Sequence, residues 1–143
     1  MSIWKTITSL FFSQEDKVVA DYDEVVVLDT ETTSLEDHAK ILSVAAIPCF
    51  KNQCLLDEAV SLFLNWDEVA LADTPQIHGI TREQLRQKGI TPLDALEQIR
   101  VLIGEKSLVG HHISFDLMVL NKHFTAFGLE PLPKRYLCTA EIA

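Results

Sequence analysis

Apolar residues change their spacing several times along the chain, and each change predicts a different element. Trp4, Ile7, Leu10, Phe11 and Phe12 recur at mostly helical spacing, so residues 1–20 read as a short amphipathic helical extension ending in the polar run Ser13-Gln14-Glu15-Asp16-Lys17. That helix either packs on the edge of the domain or docks a protein partner, because two Phe and a Trp are costly to leave exposed. From Glu24 the pattern becomes strand-like. Val25-Val26-Val27-Leu28 and Val44-Ala45-Ala46-Ile47 are short runs suited to burial on both faces of a sheet. Residues 40–50 and 53–64 read as two more strands joined by a hairpin turn at Phe50-Lys51-Asn52-Gln53.

The helical period then returns. Thr91 as N-cap, Pro92 at the first helical position and Asp94 in the first turn start a helix whose apolar residues are Ala95, Leu96, Ile99, Leu102 and Ile103, and Gly104 closes it. Residues 107–110 form a brief strand. Ser114 is expected to cap a second helix, ended by Gly128 and apolar nearly all round through Leu117, Met118, Val119, Leu120, Phe124 and Phe127. Residues 135–139 read as a last strand, with a helix just starting at 140–143. Strands first, then strands alternating with helices, predict an α/β domain with a mixed sheet over 21–143.

The 143 residues, 48% of them hydrophobic and 23% charged, suffice for one domain with its own core and exclude a disordered chain. No apolar run approaches the ~20 residues of a membrane span, and the amino terminus lacks a secretory pattern. The expectation is a cytoplasmic protein with no membrane partner. Twelve basic against twenty-one acidic residues give a net charge of −9 with no run of Lys or Arg. Tight binding of a long duplex is therefore not expected, although metal ions held by carboxylates can supply positive charge locally. The three cysteines, Cys49, Cys54 and Cys138, read as buried or idle thiols, since no second pair is spaced to complete a zinc site.

Three short motifs carry candidate chemistry. In Leu28-Asp29-Thr30-Glu31-Thr32-Thr33, residues i and i+2 of a strand share a face, so Asp29 and Glu31 project side by side. Two such carboxylates beside a core either end the strand in water or hold a hard divalent cation. In His111-His112-Ile113-Ser114-Phe115-Asp116, the acid falls in the first turn of a helix, where the dipole favours its ionised form. That position equally suits an ordinary helix start. Two consecutive histidines are not expected to face the same way off a strand. Thr74-Pro75-Gln76-Ile77-His78-Gly79-Ile80-Thr81 alone is a Pro-started turn with a Gly break.

Taken in order, Asp-x-Glu-Thr-Thr, Ile-His-Gly-Ile-Thr and His-x-x-x-Phe-Asp resemble the DEDD-type 3′–5′ exonucleases. The likeness is to the DEDDh branch that contains the proofreading ε subunit of bacterial DNA polymerase III and ribonuclease T. It runs from about Val25 to Ala143. The resemblance implies a ribonuclease-H-like fold whose five-stranded mixed sheet is ordered 3-2-1-4-5 with the second strand antiparallel. It implies that Asp29, Glu31 and Asp116 are catalytic acids and three of four ligands to two Mg2+ or Mn2+ ions. It implies that Thr32, Thr33 and Leu35 grip and wedge the terminal nucleotide, that His78 contacts that nucleotide, and that Phe115 belongs to the second motif. The implied reaction releases nucleoside 5′-monophosphates from the 3′ end of single-stranded DNA or RNA.

The chain departs from the family pattern in three places. Ser34 stands where Gly is usual, and His112 where Asn is frequent. The third motif, a general-base His followed by the fourth acid, has no counterpart before Ala143. The expectation is therefore a C-terminally incomplete domain, part of a longer exonuclease and impaired or inactive alone. The alternative is a catalytically dead nucleotide-binding or protein-interaction module with the same fold.

Overall fold

The computed structural model describes residues 23–51, 53–66, 79–132 and 135–141. The expected amino-terminal helix, its docking role and His78 lie outside the described residues. Strand β1 (Glu24–Thr32) is followed by β2 (Ile41–Phe50), β3 (Gln53–Cys54) and β4 (Val60–Phe63). Helices α1 (Arg82–Lys88) and α2 (Pro92–Ile103) lead to β5 (Ser107–Gly110), α3 (Ile113–Ala126) and β6 (Tyr136–Cys138). The sheet runs β3-β2-β1-β5-β6, with β4 also on β2. Strand β2 is antiparallel to β1, while β5 and β6 are parallel to their neighbours. The expected α/β class and strand order hold.

Six strands replace five because the third expected strand is interrupted. Gln53 and Cys54 pair with Phe50 and Cys49, and Val60–Phe63 pair with Ala46–Ser43. Between them Leu56–Glu58 form a 3-10 turn opposite Pro48. Proline has no N–H to give a neighbouring strand, so the ladder breaks there, and only its carbonyl is used, by the Leu55 N–H at 2.9 Å. The hairpin brings Cys49 and Cys54 into direct register, Cα atoms 4.0 Å apart, and joins them in a disulfide. The expectation of three thiols is thus corrected to one, the buried Cys138. A turn whose Lys51 adopts φ 52° sets that register.

Val25, Val26, Val27 and Leu28 are all buried, as a central strand requires. Val26 and Leu28 face a core completed by Leu96, Ile99 and Ile103 of α2 and Leu117, Leu120 and Phe124 of α3. Val25 and Val27 face the other side, with Cys49 and Val109. Thr91 caps α2 by accepting the Asp94 N–H, as expected. Helix α1 was not anticipated, although Thr81 and Gln84 form a capping box that opens it. Helix α3 starts two residues early, with His112 in the left-handed region (φ 54°) as N-cap rather than Ser114. Its apolar surface is not continuous, since Met118 and Phe127 are partly exposed. The last strand is shorter than expected, and residues 139–141 form a 3-10 turn instead of an α-helical start.

At Gly110 of β5 the chain passes close to both β1 and α3. A Cβ there would lie 2.7 Å from both the Leu28 carbonyl oxygen and Ile113 Cδ1. Gly110→Ala is expected to cost about 1–3 kcal/mol by overpacking, measured as a lower urea midpoint. An unchanged midpoint would refute this close approach.

Candidate active site

Strand β1 extends past β5. Their pairing ends at Val27 with Val109, and the chain leaves the sheet at Gly110 through the turn His111-His112. Beyond that point the β1 backbone needs another partner on this side, because a buried N–H left unpaired is costly. Asp116, in the first turn of α3 and only 5% exposed, supplies it. Its Oδ1 accepts the Thr30 N–H at 3.0 Å and a second, short hydrogen bond from the Thr30 hydroxyl.

A cleft of about 530 Å³ opens at this strand end, lined by Asp29, Thr30, Glu31, Thr32, Ser34, Leu35, His111, His112, Ser114, Phe115 and Asp116. The two separate acidic motifs therefore meet, together with Thr32, Leu35 and Phe115. Thr33 does not line the cleft. Its N–H donates to the Lys40 carbonyl at 2.9 Å and its hydroxyl accepts the Lys40 N–H at 3.0 Å, closing the base of the 33–40 loop. Ser34 does not take positive φ, so the missing Gly imposes no strain there. Leu35 stands 87% exposed at the tip of that loop. Lys122 holds the loop from α3, donating to the Asp37 carbonyl at 2.9 Å and pairing with its carboxylate at 3.3 Å.

The residues around the acids include several that motif reading passed over. In the motif Thr30 is only the spacer of Asp-x-Glu. His111 and His112 both line the cleft with ring centroids 4.5 Å apart, contrary to the expectation for a strand. They lie in a turn, and the left-handed backbone of His112 swings its ring towards its neighbour. His111 Nδ1 lies 3.1 Å from the hydroxyl of Thr139, which ties the 3-10 turn after β6 to the site. His123 takes no part: it is buried, and its Nε2 accepts the Ile41 N–H at 3.4 Å. Burial and nearby Lys40 lower its pKa to about 4.

The electrostatics of the cleft are those of crowded carboxylates. Burial lifts the Asp116 pKa to about 6 against its Thr30 hydrogen bonds, and the Asp29 charge adds to the rise. Asp29 is an exposed residue whose carboxyl is partly desolvated in the cleft, which raises its pKa despite the Thr30 N–H and nearby His111. No group of three or more His, Cys, Asp or Glu side chains among the described residues converges closely enough to hold a metal ion as placed. The donor chemistry, three carboxylates on one cleft, is nonetheless that of a hard divalent cation.

The exonuclease family model RNase_T matches residues 26–143. The chain belongs to the RNase T exonuclease family. The resemblance to DEDD-type exonucleases drawn from the motifs is thereby borne out. Among relatives of this RNase T member, a PolC-type DNA polymerase III of Listeria innocua is 32% identical over 119 residues, covering 82% of this chain and 8% of the polymerase. E. coli Exonuclease I in complex with a dA13 oligonucleotide superposes with a TM-score of 0.75 at 17% identity, over 84% of this chain and 29% of that one. A zinc-bound Exonuclease I complex with single-stranded DNA gives 0.74 at 17% identity, over 84% and 28%. These superpositions establish the fold. The RNase T match thus spans under a tenth of the polymerase and under a third of the solved chains. No helix among the described residues is long and apolar enough to cross a membrane.

The raised Asp116 pKa makes a signed prediction. Its carboxyl is protonated up to about pH 6 when folded but only to 3.8 when unfolded, so its stabilising contribution is present below 3.8 and lost as pH rises through 6. The loss is roughly 3 kcal/mol at about 1.4 kcal/mol per unit. His123 acts oppositely: its contribution is present above 6.5 and lost as pH falls through 4. Asp116→Asn keeps the acceptor for Thr30 but removes the charge. In EDTA it is expected to melt higher than wild type at pH 7.5, with the difference gone below pH 4. A variant melting no higher at pH 7.5 would contradict the crowding.

Proposed function

We propose that this domain is a metal-dependent 3′–5′ exonuclease acting on single-stranded DNA ends. The observation that supports this most directly is the meeting of Asp29, Glu31 and Asp116 in one cleft beneath the exposed Leu35. Asp29, Glu31 and Asp116 are the residues that would hold Mg2+ or Mn2+. When bound, the ions supply the charge that phosphodiester displacement needs and activate the attacking water. Binding them also relieves the repulsion between Asp29 and Asp116, an unusual state for carboxylates with no cation beside them.

The chain's own residues do the rest. The 33–40 loop, closed at its base by Thr33 and Lys40, carries Leu35 to the mouth of the cleft as a wedge against the last base. Thr32 and Phe115 line the same cleft beside the acids, where the terminal nucleotide would sit, and His78 is proposed to contact that nucleotide. The fold relatives crystallised with oligonucleotides, and the relative named as a DNA polymerase, support DNA as the strand bound. The cleft residues include three acids and no assigned general base. Losing a base costs about 10²–10⁴ in rate, so turnover by these residues alone is expected to be slow.

The test is a single-turnover assay with excess protein on a 3′-labelled single strand, with RNA in parallel, in Mg2+ or Mn2+. Release of the labelled 5′-mononucleotide is expected, and Asp29→Asn is expected to reduce it at least tenfold. Activity that survives Asp29→Asn unchanged would sink the assignment. Melting in Mn2+ separates a weak enzyme from a dead module: the wild-type midpoint should rise and that of Asp29→Asn should not.

A further inference from the structure

We propose that Thr30, the residue between the two acids of β1, is the positioning residue that sets Asp116 for metal binding. This rests on the metal site proposed above. Two donors of one residue, the Thr30 N–H and its hydroxyl, end on the same atom, Asp116 Oδ1. Oδ2 is the oxygen Thr30 leaves for a ligand. The contact spans 86 residues of sequence, so it sets a distance that no local turn dictates.

The surroundings assign this task to Thr30. By strand alternation it faces the side of Val26 and Leu28, on which α3 packs, while Asp29 and Glu31 take the side of Val25 and Val27. Asp116 therefore reaches the acids of β1 around the free strand edge beyond β5, and Thr30 is its point of contact. From its own helix the Asp116 carboxylate receives only a backbone N–H, its own, so Thr30 is the side chain that orients it from outside α3. A hydroxyl at position 30 fixes which way the carboxylate turns. A methyl in its place leaves one of the two bonds and allows the group to rotate. The inference concerns where the carboxylate stands.

The experiment compares Thr30→Val, which removes the hydroxyl at nearly constant shape, with Thr30→Ser, which retains it. Mn2+ affinity is read by calorimetric titration, beside melting in EDTA. Thr30→Val is expected to bind Mn2+ at least about tenfold more weakly, the usual scale for residues that orient a metal ligand, and Thr30→Ser within about threefold of wild type. Equal affinity of Thr30→Val and wild type would overturn the inference while leaving the metal site standing. Absence of Mn2+ binding by wild type would overturn the metal site and this role with it. Should Thr30→Val fail to fold, the Thr30 amide proton of the wild-type chain is compared with that of Asp116→Asn in metal-free buffer and on adding Mg2+. A shift in both supports the assignment, and an unmoved resonance in either refutes it.

Discussion

A strand that outlasts its neighbour governs this architecture. Beyond Val27 and Val109, no described strand partners β1 on the β5 side, and its backbone there is satisfied by a side chain instead. A carboxylate from the start of α3 meets that need. The close passage at Gly110 lets the chain turn out of β5 and into α3 within two residues, which puts Asp116 within reach. The fold thus creates the cleft and gathers its charges by the same step, and crowding of the carboxylates follows from the topology.

The crowding sets up an opposition between structure and chemistry. Burial beside Leu28 favours protonated acids, whereas cation binding requires ionised ones. The Thr30 hydrogen bonds pull Asp116 back towards the ionised form but do not prevail. Functional sites commonly keep such local conflict, offset by the surrounding core. Here that core is the layer of α2 and α3 on β1, whose buried leucines, isoleucines and Phe124 have no polar demands.

Much of this was legible in the residues, and the remainder failed for identifiable reasons. The four-residue apolar run of β1 announced a central strand, and Thr91-Pro92 announced α2, because both signals are local. Helix α1 opens on an equally local capping box, but its Thr81 also completes the pattern of the preceding turn, so the sequence signal there is ambiguous. The start of α3 was misplaced because a left-handed residue is a backbone property, and His112 carries no side-chain mark of it. The hairpin was foreseen but its disulfide was not, since that needs the pairing register as well as the turn. At the site, the acids stood out by type and order. Thr33, expected at the substrate, also staples its own loop, and Thr30 carries no sign of its role because its partner lies far along the chain.

The broken ladder opposite Pro48 has a consequence for the outer boundary of the sheet. One margin consists of β3 and β4, two and four residues long, offset by the 3-10 turn and pinned by the Cys49–Cys54 bridge. The other is β6, three residues long. Among the described residues, neither margin presents a straight run of free amides and carbonyls for a second chain to zip onto. Short, offset margins of this kind are poor templates for edge-to-edge pairing, and Pro48 is the residue that shortens the β3–β4 side.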